Sequence, residues 1–105
     1  KEIRQLRSLG QKDIILDPGF GFGKSLDENY ALLAKMEQLQ SLDLPLLVGV
    51  SRKSMIFRLL DTDPSGSLNG TSVIHTIAVE KGANILRVHD VKEAVEVVKI
   101  VNKIM

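Results

Sequence analysis

The chain has 105 residues, 44% of them apolar, which is enough for one domain with a core of its own. Its 14 basic and 13 acidic residues nearly cancel, which excludes the electrostatic footprint of a nucleic-acid or anionic-membrane binder. It has no cysteine, which excludes disulfides and cysteine metal sites and fits the cytosol, and its apolar runs, such as 44–50, fall far short of the roughly 20 residues that span a bilayer.

The sequence opens at Lys1 in a pattern that reads as helical: Ile3 and Leu6 lie three apart, and Gly10 suits a C-terminal cap. No N-cap precedes them and no signal peptide is visible, so the chain is expected to start inside an element, as an excised piece would. Ile14, Ile15 and Leu16 read as a strand that ends at Asp17-Pro18 and feeds a glycine-rich loop running to Gly23. Ser25 and Glu28 fit a capping box, after which Leu32, Leu33, Met36 and Leu39 recur at helical spacing to about residue 42. Pro45 resets the chain, and Leu46, Leu47, Val48, Gly49 and Val50 read as a buried parallel strand, apolar on both faces. A short helix over 55–60 follows Ser51-Arg52-Lys53-Ser54, and a polar stretch over 61–70, with Pro64 and two glycines, is expected to be the mobile loop. From Thr71 a helix places Val73, Ile74, Ile77 and Ala78 on one face and stops at Gly82. Ile85, Leu86 and Val88 make a third strand ending at His89. Asp90 and Glu93 then offer a second capping pair before a helix with Ala94, Val97, Val98, Val101 and Ile104 on one stripe.

Strands alternating with helices predict an α/β fold with a parallel sheet and right-handed crossovers. Three strands are few, because a parallel sheet is covered on both faces and its edges are paired or protected. A complete TIM (β/α)8 barrel takes roughly 250 residues, so the chain is expected to supply three of its eight βα units, with residues 1–105 forming an incomplete single domain. Every chemically interesting cluster comes just after a strand, at the edge where parallel α/β folds bind ligands.

The loop Gly19-Phe20-Gly21-Phe22-Gly23-Lys24-Ser25 matches neither nucleotide motif: a P-loop would need Gly where Pro18 stands, and a dinucleotide loop would need Gly where Lys24 stands. It can still bring backbone N–H groups close to a flat ligand or anion; the alternative is a turn that needs positive φ. Asp17, at a strand end and facing Phe20 or Phe22, suits a paired N–H edge on a heteroaromatic ring, or else caps the turn. Ser51, Arg52 and Lys53 put two cations and a hydroxyl after a buried strand, for an oxygen-rich partner or as an N-cap at Ser51 or Ser54 with solvated charges. Alternation places Arg87 and His89 on one strand face, suited to a phosphate or pyrophosphate; otherwise Arg87 pairs with a carboxylate such as Asp17 and His89 is structural. His75 lies within a helix with no metal-ligand partner at i+4 and reads as structural or exposed.

Asp17-Pro18-Gly19-Phe20-Gly21-Phe22-Gly23-Lys24, Gly49-Val50-Ser51-Arg52-Lys53-Ser54 and Arg87-Val88-His89-Asp90-Val91 closely resemble, in order and spacing, the last three strand-end motifs of bacterial dihydropteroate synthases. The resemblance covers essentially the whole chain and implies a folate-synthesis transferase, homodimeric and cytoplasmic. Such an enzyme condenses a 7,8-dihydropterin carrying a CH2-pyrophosphate with p-aminobenzoate, which sulfonamides imitate. It implies that Asp17, Lys53 and Arg87 are the catalytic residues and that Asp17, Gly21, Phe22, Lys53 and Arg87 hold the pterin. Phe22, Gly21, Ser51, Arg52 and Lys53 would line the aminobenzoate side, and Arg87 with His89 would hold pyrophosphate. Magnesium would take its ligand, an early Asn, from an N-terminal part that is missing here, together with two long loops and pterin contacts from the third to fifth strands. The chain by itself is therefore expected to be inactive. Two rivals remain: a pterin-binding methyltransferase barrel, disfavoured because a methyl donor has no pyrophosphate for Arg87 and His89, and a non-enzymatic structural fragment.

Overall fold

The computed structural model describes residues 15–105. The N-terminal helix expected from Ile3, Leu6 and Gly10, and Ile14 of the first strand, lie outside the described residues.

Ser25 opens the first helix, α1 (Leu26–Ala34), through the expected capping box: its Oγ accepts from the Glu28 N–H at 3.1 Å, and its own N–H donates to Glu28 Oε1 at 2.7 Å. That reciprocal pair holds the Glu28 carboxyl below its ordinary pKa, chiefly through the Ser25 N–H. The helix does not run on to residue 42 as its apolar spacing suggests. It ends at Lys35, and Met36–Leu42 winds as a 3₁₀ helix closed by Asp43 in the left-handed region, φ 53°. Tertiary contacts favour the break: Lys81 Nζ donates to the Ala34 carbonyl and pairs with Glu37, while Gln40 Nε2 donates to the Lys81 carbonyl. Met36 is thereby delivered, fully buried, into the core.

The middle strand β1 (Leu47–Val48) pairs in parallel with β2 (Ile85–Leu86), Leu47 opposite Ile85 and Val48 opposite Leu86. On its other side Leu46 forms a parallel bridge with Leu16. Three parallel chain segments thus lie side by side in sequence order, each followed by helix, which is the α/β arrangement predicted. Leu46, Val48, Gly49 and Val50 are all buried, as expected of a covered segment, but the strand expected over 46–50 is paired as a strand only at Leu47–Val48.

Between β1 and β2 lie the short helix α2 (Ser54–Phe57), a 3₁₀ turn (Pro64–Gly66) and helix α3 (Leu68–Glu80). Two expectations are corrected here. The polar stretch expected as a loop over 61–70 already contains the 3₁₀ turn and the first turn of α3, because Ser67 is fully buried and its Oγ donates to the Pro64 carbonyl at 2.7 Å. The buried face of α3 is also rotated from the one predicted: Gly70, Thr71, Ile74, His75 and Ala78 point inward, and Val73 is 50% exposed. Gly70 sits so close to α2 that a Cβ there would meet Ile56 Cγ2 at 2.6 Å. The last helix, α4 (Val91–Ile104), packs on α3 with Ala94 and Val101 buried, while Ile104, at the end of the predicted stripe, is exposed. One core, built from Phe20, Leu33, Met36, Leu46, Val48, Val50, Met55, Ile56, Ile74 and Ala78, joins the glycine loop, α1, the 3₁₀ helix, the β1 segment, α2 and α3.

Candidate active site

The loop after Leu16 is shaped by its own hydrogen bonds. Asp17 Oδ1 accepts from the Gly19 N–H at 2.9 Å, closing a turn, and Lys24 Nζ reaches back to the Gly19 carbonyl at 2.9 Å. Gly19, Gly21 and Gly23 all have positive φ (76°, 87° and 62°), which L side chains disfavour, so the alternation of glycines follows from the loop's path. That path sends the two phenylalanines opposite ways. Phe20 is buried in the core as the loop's anchor, and Phe22 is 71% exposed. Buried Asn29, on α1, fixes the turn between them: its Oδ1 accepts from the Gly21 N–H at 2.8 Å and its Nδ2 donates to the Ser25 carbonyl at 3.1 Å.

Lys53 arrives from the segment after β1. Its Nζ donates to the Phe20 carbonyl at 2.7 Å and lies 5.1 Å from the centre of the Phe22 ring, within cation–π range. Partial burial pulls the ammonium below its ordinary pKa; Asp17 opposes that shift, and Arg87 and Lys24 add to it. Phe20, Gly21, Phe22, Lys53 and Ser54 line a cleft of about 210 Å³. Arg87 comes from the segment after β2, with its N–H on the Val48 carbonyl at 2.9 Å and its guanidinium 3.6 Å from Asp17 Oδ2. Arg87 and His89 are both exposed with half-buried Val88 between them, the expected alternation, but the strand expected to end at His89 stops at Leu86. The His89 N–H donates to the Oγ of buried Ser51 at 3.2 Å, which ties the second and third segments together.

The other expected contributors settle differently. Arg52 has a left-handed backbone, φ 55°, and a heavily engaged side chain: Nε and Nη2 grip the two Asp90 oxygens at 2.9 and 3.1 Å, and Nη1 donates to the Pro64 and Ser65 carbonyls at 2.7 and 3.2 Å. Asp90 is the residue at the N-cap of α4, but its carboxylate caps nothing there, since both oxygens face Arg52; the Asp90–Glu93 capping pair is corrected accordingly. Arg52 is likewise the main reason the Asp90 carboxyl lies below its ordinary pKa. Nor does Ser51 or Ser54 cap α2 among the described residues; Lys53 occupies that N-cap without a side-chain bond.

Asp17, Gly21, Phe22, Lys53 and Arg87 therefore meet at one edge, where the cations of Lys53 and Arg87 flank the Asp17 carboxylate and Lys24 reaches the Gly19 carbonyl of the same loop. Such an edge offers a carboxylate acceptor to N–H donors and cations to an anion. A sequence profile described as "Pterin binding enzyme" matches residues 2–89. The chain belongs to this family of pterin-binding enzymes. Among its relatives is the dihydropteroate synthase of Escherichia coli K12, 52% identical over 93 residues that cover 89% of this chain and 33% of the relative. The Yersinia pestis dihydropteroate synthase, solved in a sulfonamide drug complex, superposes with a TM-score of 0.90 at 48% identity, over 96% of this chain and 38% of that one. The Coxiella burnetii dihydropteroate synthase, solved in complex with pteroic acid, gives a TM-score of 0.90 at 41% identity, over 95% of this chain and 38% of that one. The chain spans about a third of the length of the curated relatives it matches.

Four residues at or behind this edge were not among the site residues expected from the sequence. Asn29 and Lys24 fix the glycine loop, Ser54 lines the cleft, and Thr71 accepts the Arg52 N–H at 3.0 Å. Asn29 carried a faint signal, since an Asn inside a helix gives up propensity and invites the question of what its amide binds. Among the described residues no group of three His, Cys, Asp or Glu converges as a metal site, and no helix is long and apolar enough to cross a membrane.

Proposed function

We propose that residues 1–105 are the C-terminal three βα units of a (β/α)8 barrel, and that the complete protein is a dihydropteroate synthase joining 7,8-dihydropterin-CH2-pyrophosphate to p-aminobenzoate. The observation that carries this reading is the meeting of Asp17, Lys53 and Arg87 at one edge from three different chain segments. The dihydropteroate synthase names of the relatives, and the sulfonamide and pteroic acid in two solved structures, support it.

In this mechanism Asp17 accepts hydrogen bonds from the N–H edge of the pterin, and Lys53 bonds a pterin carbonyl or ring nitrogen. Its Phe20 contact occupies one of three ammonium protons, so donors remain for the ligand. The Asp17–Arg87 pair is exposed and 3.6 Å long, so separating the two around a ligand costs about 1 kcal/mol or less. Arg87, with His89, then takes the pyrophosphate, and Gly21, Phe22, Ser51 and Lys53 form the aminobenzoate side, backed by Arg52. The amine of aminobenzoate attacks the exocyclic carbon as the carbon–oxygen bond breaks, pyrophosphate leaves with the electron pair, and the amine proton passes to water. Positive charge that builds on the ring is stabilised by Asp17, and negative charge on the leaving group by Arg87 and His89. No side chain needs to act as nucleophile.

The magnesium implied by the family resemblance would be held from outside this chain, and no step above runs through it. A homodimer in the cytoplasm belongs to the same reading and rests on the resemblance alone. The test is an assay of dihydropteroate formation with the complete protein and with residues 1–105 alone. The complete protein should turn over, with pyrophosphate competing against the pterin diphosphate, and the isolated chain should not. Competition by a methylated folate in place of pyrophosphate would point to a methyltransferase instead.

A further inference from the structure

We infer that Arg52 is a positioning residue whose guanidinium clamps the three segments behind the site, setting where Lys53 and His89 stand, and does not itself hold substrate. This inference rests on the function proposed above and refines the part that Arg52 plays in it.

The guanidinium is committed on both of its hydrogen-bonding edges. Nε and Nη2 form the fork that matches a carboxylate, and Asp90 fills it at 2.9 and 3.1 Å. Nη1 is spent on the Pro64 and Ser65 carbonyls at 2.7 and 3.2 Å. No edge remains on which the carboxylate of aminobenzoate could be gripped bidentately. The Arg52 backbone is equally fixed: its φ of 55° is a conformation that a side chain other than glycine resists, and its N–H is held by Thr71 Oγ1 at 3.0 Å. Both neighbours of this restrained residue face the site's other parts. On one side Ser51 Oγ receives the His89 N–H, and on the other Lys53 reaches the Phe20 carbonyl.

Three segments are joined through this one residue. The 3₁₀ turn (Pro64–Gly66) is braced by Asp63, whose Oδ1 accepts from Ser65 Oγ at 2.7 Å and from the Gly66 N–H at 2.9 Å, so Arg52 is tied to a stiff partner. Asp90 follows His89 directly, so gripping Asp90 fixes the segment after β2 that carries Arg87 and His89. The clamp therefore sets the distance between the pterin contact, Lys53, and the leaving-group contacts. Misplacing either group lowers the rate of displacement, because reacting atoms must be held in line.

The experiment compares Arg52→Gln, Asp90→Asn and the double variant in the complete enzyme, with kcat, both KM values and Tm measured for each. Each single variant should lose about tenfold in kcat, with little change in the KM for aminobenzoate, and the double variant should be no slower than the slower single. Three results would each overturn the clamp: a raised aminobenzoate KM in Arg52→Gln with Asp90→Asn like wild type, losses that multiply in the double variant, or a lowered Tm with kcat and KM unchanged. If the wild-type protein makes no dihydropteroate, the functional reading fails and the clamp is judged by backbone amide shifts. Both single variants should then perturb the same amides at 51–53, 64–66 and 89–91, and non-overlapping sets would reject it.

Discussion

Asp17 does two things at once, and one substitution separates them. One oxygen closes the turn to Gly19 and the other faces Arg87. Asn can still accept from the Gly19 N–H, so Asp17→Asn in the complete enzyme should leave Tm nearly unchanged. It removes the charge that would hold the pterin, and calorimetric titration should show pterin binding weakened by about 2 kcal/mol. Unchanged pterin affinity would leave Asp17 with the turn alone. His75 makes a second prediction at this scale. It is 2% exposed, its Nε2 has no hydrogen-bond partner among the described residues, and burial lowers its pKa against a smaller opposing pull from Asp90. The unfolded chain, with a histidine pKa near about 6.5, takes up the proton before the folded one does. Stability should hold above that pH and fall as pH drops below it, by up to about 1.4 kcal/mol per unit. Lowered carboxyls such as Asp63 and Asp90 lose their contribution below about pH 5, outside the range that reports on His75. Urea titrations between pH 7.5 and 5 should show this slope in wild type and not in His75→Gln; equal slopes would exonerate His75.

Among the elements, α1 begins where the sequence says it should, because a capping box is local chemistry between residues three apart. Its end was not legible: Lys81 and Gln40 decide it, and residues 34 and 81 meet only in the fold. The face of α3 was misread for a related reason. Gly70 and Thr71 carry little apolar signal, yet they are buried, since a helix packed this closely on α2 needs small side chains at the contact. Gly70→Ala tests that packing. Alanine gains up to about 1 kcal/mol in helix propensity, but its methyl would lie 2.6 Å from Ile56 Cγ2 and 2.7 Å from Leu60 Cδ1. Overpacking of about 1–3 kcal/mol should prevail, giving a lower urea midpoint. A higher midpoint would mean that α2 and α3 separate easily.

For the molecule as a whole, the apolar surface left uncovered agrees with the reading that these are three of eight barrel units. Val91, Val95, Ile100 and Ile104 on α4 are exposed, and β2 has a pairing neighbour on one side only among the described residues. A groove of about 510 Å³ between β2 and α4, lined by Val79, Leu86, Val88, Val95 and Val98 among others, continues that surface. In the proposed barrel, neighbouring units would pack there. The same reading explains why the edge that carries Asp17, Lys53 and Arg87 is shallow: its remaining walls would come from those units.

What the sequence determined by itself was the order of elements among the described residues, the placement of the second and third motifs just after strands and of the first just after the Leu16 bridge, and the family to which they belong. Each is written in short stretches of chain: a run of β-branched residues, a cap three residues from its partner, glycines where φ turns positive. The tertiary structure decided which candidates face the edge where the motifs meet and which hold it together. Phe20 and Phe22 are both phenylalanines in one glycine loop, and only the core shows that the first is an anchor and the second a free wall. Arg52 and Lys53 are adjacent cations, and only the fold brings Asp90, 38 residues away, onto the guanidinium of Arg52 and leaves Lys53 to the cleft. A side chain's role depends on which donors and acceptors it has left after folding, and those partners are set by packing between segments distant in sequence.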